Sequence, residues 1–175
     1  MNKWDMQRDI MRRSGQDAPD PGAPYVVSDT SMLYVALVAE EFKELCGTLQ
    51  QVFELSDQPT PVRDYYSSEL RAIKHQLHLF SKLVRGALSH GPGFDIMLTE
   101  QQAVAIADDV TDLEVVVAGA SVACSLPGDL LYEEVQLSNL SKAQEDGTIA
   151  RDASGKWIKG PGYEPPNMHA VLFPR

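Results

Sequence analysis

From about position 29 to position 142 the chain repeats one arrangement. Apolar residues recur at spacings of three and four for several turns, and each run stops at a cluster of Pro, Gly, Asp or Ser. Spacings of three and four fall on one face of an α-helix, whereas a half-buried strand needs strict alternation. The first run, TSMLYVALVAEEFKELCGTLQQVFEL, has Ser28 or Asp29 as its N-cap, extends to about residue 54 and is ended by SDQPTPVRD. The second, about 62–90, carries Leu70, Ile73, Leu77, Leu79, Phe80, Leu83, Val84 and Leu88 and stops at SHGPGFD. The third, from Thr99 to about Ser125, opens with Thr99 and Gln102 in a capping-box pattern. Its valines would suit a strand, but its length and the helical period of Asp108, Asp109 and Asp112 favour a helix. A fourth is expected over 128–142. A short amphipathic helix over 3–13, with Trp4, Met6, Ile10 and Met11 broadly on one side, precedes a loop over 14–29. From Glu145 the chain reads as a loop-rich tail, with a small hairpin at IARDASGKWIKG. The expectation is an all-α bundle in a single domain: an N-terminal helix and loop (1–28), a helical core (29–142) with an extra helical stretch at about 56–98, and a tail (143–175).

Charge narrows the partners. A formal net charge of −10 repels duplex DNA and anionic membranes alike, so neither nucleic acid nor membrane is an expected partner. A polyanion can still bind such a protein through metal ions or a local basic patch. No segment reaches the roughly 18–20 apolar residues of a membrane span, and the charges scattered through MNKWDMQRDIMRRSG do not suit a signal peptide, so the chain reads as cytoplasmic. Cys46 and Cys124 both fall in apolar helical stretches, where a free cysteine acts as a small buried hydrophobe.

The acids are the exception to this pattern. At about 100° per residue, Glu40, Glu41 and Glu44 lie within about 100° of arc, on a stripe shared with Leu33 and Leu37. Asp108, Asp109 and Asp112 span a similar arc of the later helix, in line with Ala105, Val115, Val116, Gly119 and Ala123. One reading is two solvated faces. The other is two acidic strips converging, which repel unless cations neutralise them; ligands made only of carboxylate oxygen suit Mg²⁺ or Mn²⁺ rather than zinc. The two strips, both at core-facing positions, favour metal binding. His75 and His78 share their span with Lys74 and Lys82 and read instead as an exposed polar face.

The clusters EEFKE (40–44) and DDVTD (108–112) resemble the EExxE and ExxD metal-binding motifs of the MazG-like all-α nucleoside triphosphate pyrophosphohydrolases. The segment YEEVQLSNLSKAQEDGTIARDASGKWIKGPGYEPPNM (132–168) resembles the tail of the phage and bacterial branch similar to phosphoribosyl-ATP pyrophosphohydrolase. Asp109 stands where that motif has Glu, which leaves Asp108 as the alternative ligand.

The resemblance implies hydrolysis of an NTP or dNTP to the monophosphate and pyrophosphate, with two or more Mg²⁺ or Mn²⁺ ions per site held by Glu41, Glu44, Asp109 and Asp112. Glu40 is implied as a further ligand or as the base that deprotonates the water, and Glu41 shares the catalytic position. Asn139 and Lys142, one turn apart, are candidates for phosphate contact, though a Lys there also suits the end of a helix. Lys156 and Lys159, held by Gly155 and the GPG turn, are candidates for the same phosphates; Tyr163, Trp4 and Gln7 are candidates for the base. The resemblance further implies a bundle completed by homo-oligomerisation, as a dimer or tetramer. A branch similar to MazZ points to dGTP or GTP and a role in a phage-type deoxynucleotide pool. A dUTPase-like or housecleaning enzyme, or a non-catalytic nucleotide-binding regulator, are the alternatives.

Overall fold

Caps chosen by the sequence set where the helices begin. In the computed structural model, which describes residues 2–152 and 156–174, Asn2 accepts the Asp5 N–H at 2.9 Å and starts α1 (Lys3–Arg13). The Ser28 N–H is taken by Ser31 Oγ at 3.2 Å where α2 (Asp29–Leu55) begins. Thr99 and Gln102 exchange the capping-box bonds expected of them at α4 (Glu100–Ala123). The remaining helices are α3 (Thr60–His90), α5 (Gly128–Leu140) and a short α6 (Met168–Leu172), which the sequence reading assigned to the tail. The class is all-α, with one small exception in the loops flanking α2 and α3. There β1 (Val26–Ser28) pairs antiparallel with β2 (Asp95–Met97), in the register Val26 with Met97 and Ser28 with Asp95.

The chain divides into two compact units: Val26–Met97, and the segments up to Tyr25 and from Leu98 onward. In the first, α2 and α3 form an antiparallel hairpin closed at its base by the β1–β2 ribbon. Its seam is made of small side chains, Ala36, Ala39 and Cys46 on α2 and Ser67 and Ser81 on α3, all buried. At the hairpin tip Phe53 stacks on Tyr66 with ring centroids 4.9 Å apart. Burial pushes the Cys46 thiol pKa up. Cys124 departs from expectation: it caps the end of α4 and is exposed, because the chain leaves the helix there through Ser125, whose φ of 56° is left-handed.

In the second unit Ile10 of α1 is fully buried and Ile149 of the tail nearly so, and the Ile149 N–H donates to the Arg13 carbonyl at 2.8 Å. The start of the expected hairpin is visible in a bridge between Arg151 and Trp157, while Gly155 lies outside the described residues. α5 packs on α1 and α6. α4 touches its own unit through a Lys3–Glu114 ion pair of 3.6 Å and through α5, and buries no residue. Among the described residues no single helix is long and apolar enough to cross a membrane.

Candidate functional site

The last helix and the tail carry most of the polar geometry. Tyr132, Gln136 and Asn139 recur at helical spacing on α5, and Lys142 follows two residues beyond its end. Lys142 Nζ donates to Asn139 Oδ1 at 2.7 Å, and Asn139 Nδ2 donates to Gln136 Oε1 at 3.4 Å. Gln136 Nε2 then donates both to Gln7 Oε1 of α1 at 2.8 Å and to the Tyr132 hydroxyl at 2.7 Å. The Tyr132 hydroxyl in turn donates to the Lys3 carbonyl at 3.1 Å. From the ammonium of Lys142 the Asn139 and Gln136 amides pass a hydrogen on in the same direction, and such chains polarise one another. Gln136, at the hub, is 4 % exposed. The Lys142 ammonium also lies 5.4 Å from the centroid of the Trp157 ring, within reach of a cation–π contact.

The opposite flank of α5 holds the tail. Ser138 Oγ donates to the Glu164 carbonyl at 2.8 Å, while Ser141 Oγ accepts the Glu164 N–H at 2.9 Å. Glu134 Oε1 accepts the Asn167 N–H at 2.6 Å. Residues 138–142 (SNLSK) therefore do two jobs: Ser138 and Ser141 clamp the tail on one side, and Asn139 and Lys142 enter the amide chain on the other. Lys159 sits 4.3 Å from the centroid of the Tyr163 ring.

The structure thus brings together Gln7, Asn139 and Lys142 from the expected set, and separately pairs Lys159 with Tyr163. It does not join Trp4 or Lys156 to them. Trp4 is half exposed beneath the Lys3 ammonium, and the Lys156 backbone N–H donates to Asp152 Oδ1. Tyr132, Gln136 and Trp157 are members that sequence reasoning missed. The helical spacing of Tyr132, Gln136 and Asn139 was the available signal for the first two; nothing local marked Trp157.

The acidic strips lie in different units, one on α2 and one on α4. On α2, Glu41 and Glu44 are exposed, and Glu40 is half-buried, accepting from Arg85 Nη2 of α3 at 2.7 Å. On α4, Asp108, Asp109 and Asp112 are all exposed. Among the described residues no group of three or more His, Cys, Asp or Glu side chains is gathered so as to hold a metal ion. Chemically each strip offers only carboxylate oxygen, the donor type that suits hard divalent cations, but neither helix alone closes a coordination sphere. His75 and His78 are exposed, as the polar-face reading expects.

Among the described residues, six helices and one minimal ribbon make this an all-α protein. A crystal structure of a candidate NTP pyrophosphohydrolase from Exiguobacterium sp. 255-15 is similar to it, with a TM-score of 0.57 and 20 % identity over 97 % of this chain and 91 % of that one. At such identity the likeness establishes a shared fold. No protein-family profile matches the chain, and no curated protein does.

Proposed function

We propose that the protein is a divalent-cation-dependent hydrolase that cleaves nucleoside triphosphates to monophosphate and pyrophosphate, acting on dGTP or GTP in a deoxynucleotide pool. The observation that supports this most is the fold shared along nearly the whole chain with a candidate NTP pyrophosphohydrolase. It gains weight from the two carboxylate strips, which have the donor chemistry such a reaction uses.

Glu41, Glu44, Asp112 and either Asp109 or Asp108 would hold two or more Mg²⁺ or Mn²⁺ ions, both strips serving one substrate in the assembled protein. Bound there, such ions would supply charge neutralisation for the triphosphate and a water of lowered pKa. Glu40 or Glu41 of the α2 strip would take the water's proton. Lys142 offers a point charge, and Asn139 an amide fixed in orientation by Gln136, for the phosphates; Lys159 and Lys156 add positive charge from the tail. Gln7, Tyr163 and Trp4 would face the nucleoside.

The assembly is a homo-oligomer, dimer or tetramer. Val104, Leu113, Val115, Val116, Val117 and Val122 are spread around α4 and are each more than half exposed. Exposed apolar side chains in such number are normally covered, and the same patch on a second copy makes a self-complementary contact.

The deciding assay is pyrophosphate release from the common NTPs and dNTPs with Mg²⁺ or Mn²⁺. Release is expected, fastest from dGTP or GTP. If every triphosphate stays intact, the reading is wrong.

A further inference from the structure

From Leu70 to Phe94 the chain carries no Asp or Glu, although 25 of its 175 residues are acids. The same stretch carries four of the 15 Lys and Arg and three of the four His. It is the local basic patch that a polyanion needs on a protein of net charge −10. Helical spacing gathers it into a row: Arg71, Lys74, His78, Lys82 and Arg85 fall within about 80° of arc on α3.

The two ends of the row hold carboxylates. Arg71 Nη2 meets Glu54 Oε1 at 3.3 Å, and Arg85 Nη2 meets Glu40 Oε2 at 2.7 Å, both across the α2–α3 seam. The middle differs. Lys74, His78 and Lys82 are exposed and, among the described residues, make no hydrogen bond, ion pair or ring contact. The Lys74 side chain lies against α2, its Nζ 3.5 Å from where a Cβ on Gly47 would stand, and Gly47 is one turn beyond Glu44. Lys82 is one turn before Arg85 and Glu44 one turn after Glu40, so in the antiparallel hairpin the Arg85–Glu40 bond puts Lys82 and Glu44 at one level. Both lysines therefore flank the Glu44 end of the α2 strip.

We propose that Lys74, His78 and Lys82 bind the pyrophosphate end of the triphosphate. This rests on the triphosphate reading above and deepens it, placing a phosphate grip in the extra stretch between the two acidic motifs. Each ammonium brings a point charge with three donors, and His78 between them adds a ring N–H. From Lys74 to Lys82 the helix rises only about 12 Å, and beyond them stand arginines that already hold carboxylates. So short a row suits a condensed phosphate and offers little to a nucleic-acid strand, which the net charge repels in any case.

The test reads calorimetric binding of imidodiphosphate, a pyrophosphate with NH in place of its bridging oxygen, in Mg²⁺, together with steady-state kinetics on dGTP. Lys74→Gln with Lys82→Gln is expected to weaken imidodiphosphate about tenfold or more and to raise KM by a similar factor, with kcat within about twofold of wild type. His78→Leu should weaken it about threefold, and Lys74→Arg with Lys82→Arg should keep most of the affinity. Arg63→Gln is the control: it lies on the same helix outside the acid-free stretch, beside Asp64, and should match wild type. If the double Gln variant keeps its helical content and binds as tightly as Arg63→Gln, the proposal is overturned, while pyrophosphate release by wild type keeps the hydrolase reading standing. A single-stranded DNA 20-mer that binds through the same lysines more tightly than imidodiphosphate would overturn it too. If wild type binds imidodiphosphate through the row but cleaves no triphosphate, the hydrolase reading falls and only the phosphate grip stands.

Discussion

The Gly160 N–H donates to the Lys142 carbonyl at 3.1 Å, and the approach is so close that a Cβ on Gly160 would lie 2.6 Å from that oxygen and closer still to the carbonyl of Ala143. The obstacles are backbone atoms, which cannot swing aside. Gly160→Ala is therefore expected to lift the 159–163 turn off the end of α5, costing about 1–3 kcal/mol by analogy with overpacked cores. Urea unfolding would give the loss in stability, and limited proteolysis would locate it in the tail while α-helical content stays near that of wild type.

Gln136 tests the amide chain. Its replacement by Leu keeps the volume but withdraws the donor from Gln7 Oε1 and Tyr132 and the acceptor from Asn139. Each hydrogen bond lost in this way costs about 0.5–1.5 kcal/mol. The urea midpoint should fall accordingly, whereas Gln136→Glu, which still accepts from Asn139, should fall less at low pH, where its protonated carboxyl can also donate. Equal losses at every pH would mean that packing, not hydrogen bonding, keeps Gln136 in place.

The two thiols should separate cleanly. Cys46 is buried in the α2–α3 seam with its pKa raised, and the thiolate is the reactive form, whereas Cys124 is exposed at the end of α4. Iodoacetamide at neutral pH is expected to modify Cys124 in the native protein and Cys46 only after denaturation, as read by mass spectrometry of tryptic peptides. Rapid native labelling of Cys46 would show that the hairpin opens readily.

The helices were legible because their evidence is periodic and local. Thr99 and Gln102 announced the start of α4, Pro and Gly ended α2 and α3, and observed helix limits differ from those expected by at most two residues. What stayed hidden depends on partners distant in sequence. The three-residue strands β1 and β2 are too short to show alternation and form only because the ends of the hairpin meet. Cys124 looked buried because its neighbours are apolar, yet α4 buries none of its residues. The amide chain was half visible: Asn139 and Lys142 stood out by spacing, but only folding brings Gln7 and Trp157 to them. Arg85 carried no local mark, since one arginine on a long polar helix is ordinary.

The exposed valines and leucine of α4 lead to a prediction about assembly. Light scattering should give at least the mass of two chains for the wild type, and Val116→Glu should shift it towards one chain with little loss of helical content by circular dichroism, because Val116 is 68 % exposed in the isolated chain. A wild type of single-chain mass would remove the need for a covering copy.

The proposed function has the acids of α2 and those of α4 hold one set of cations. Mn²⁺ titration of wild type, Glu41→Gln, Asp112→Asn and the double variant measures this directly. A shared site predicts that each single substitution abolishes most of the tight binding and that the double is little worse than either. Independent, additive losses, or binding untouched by both, would contradict it.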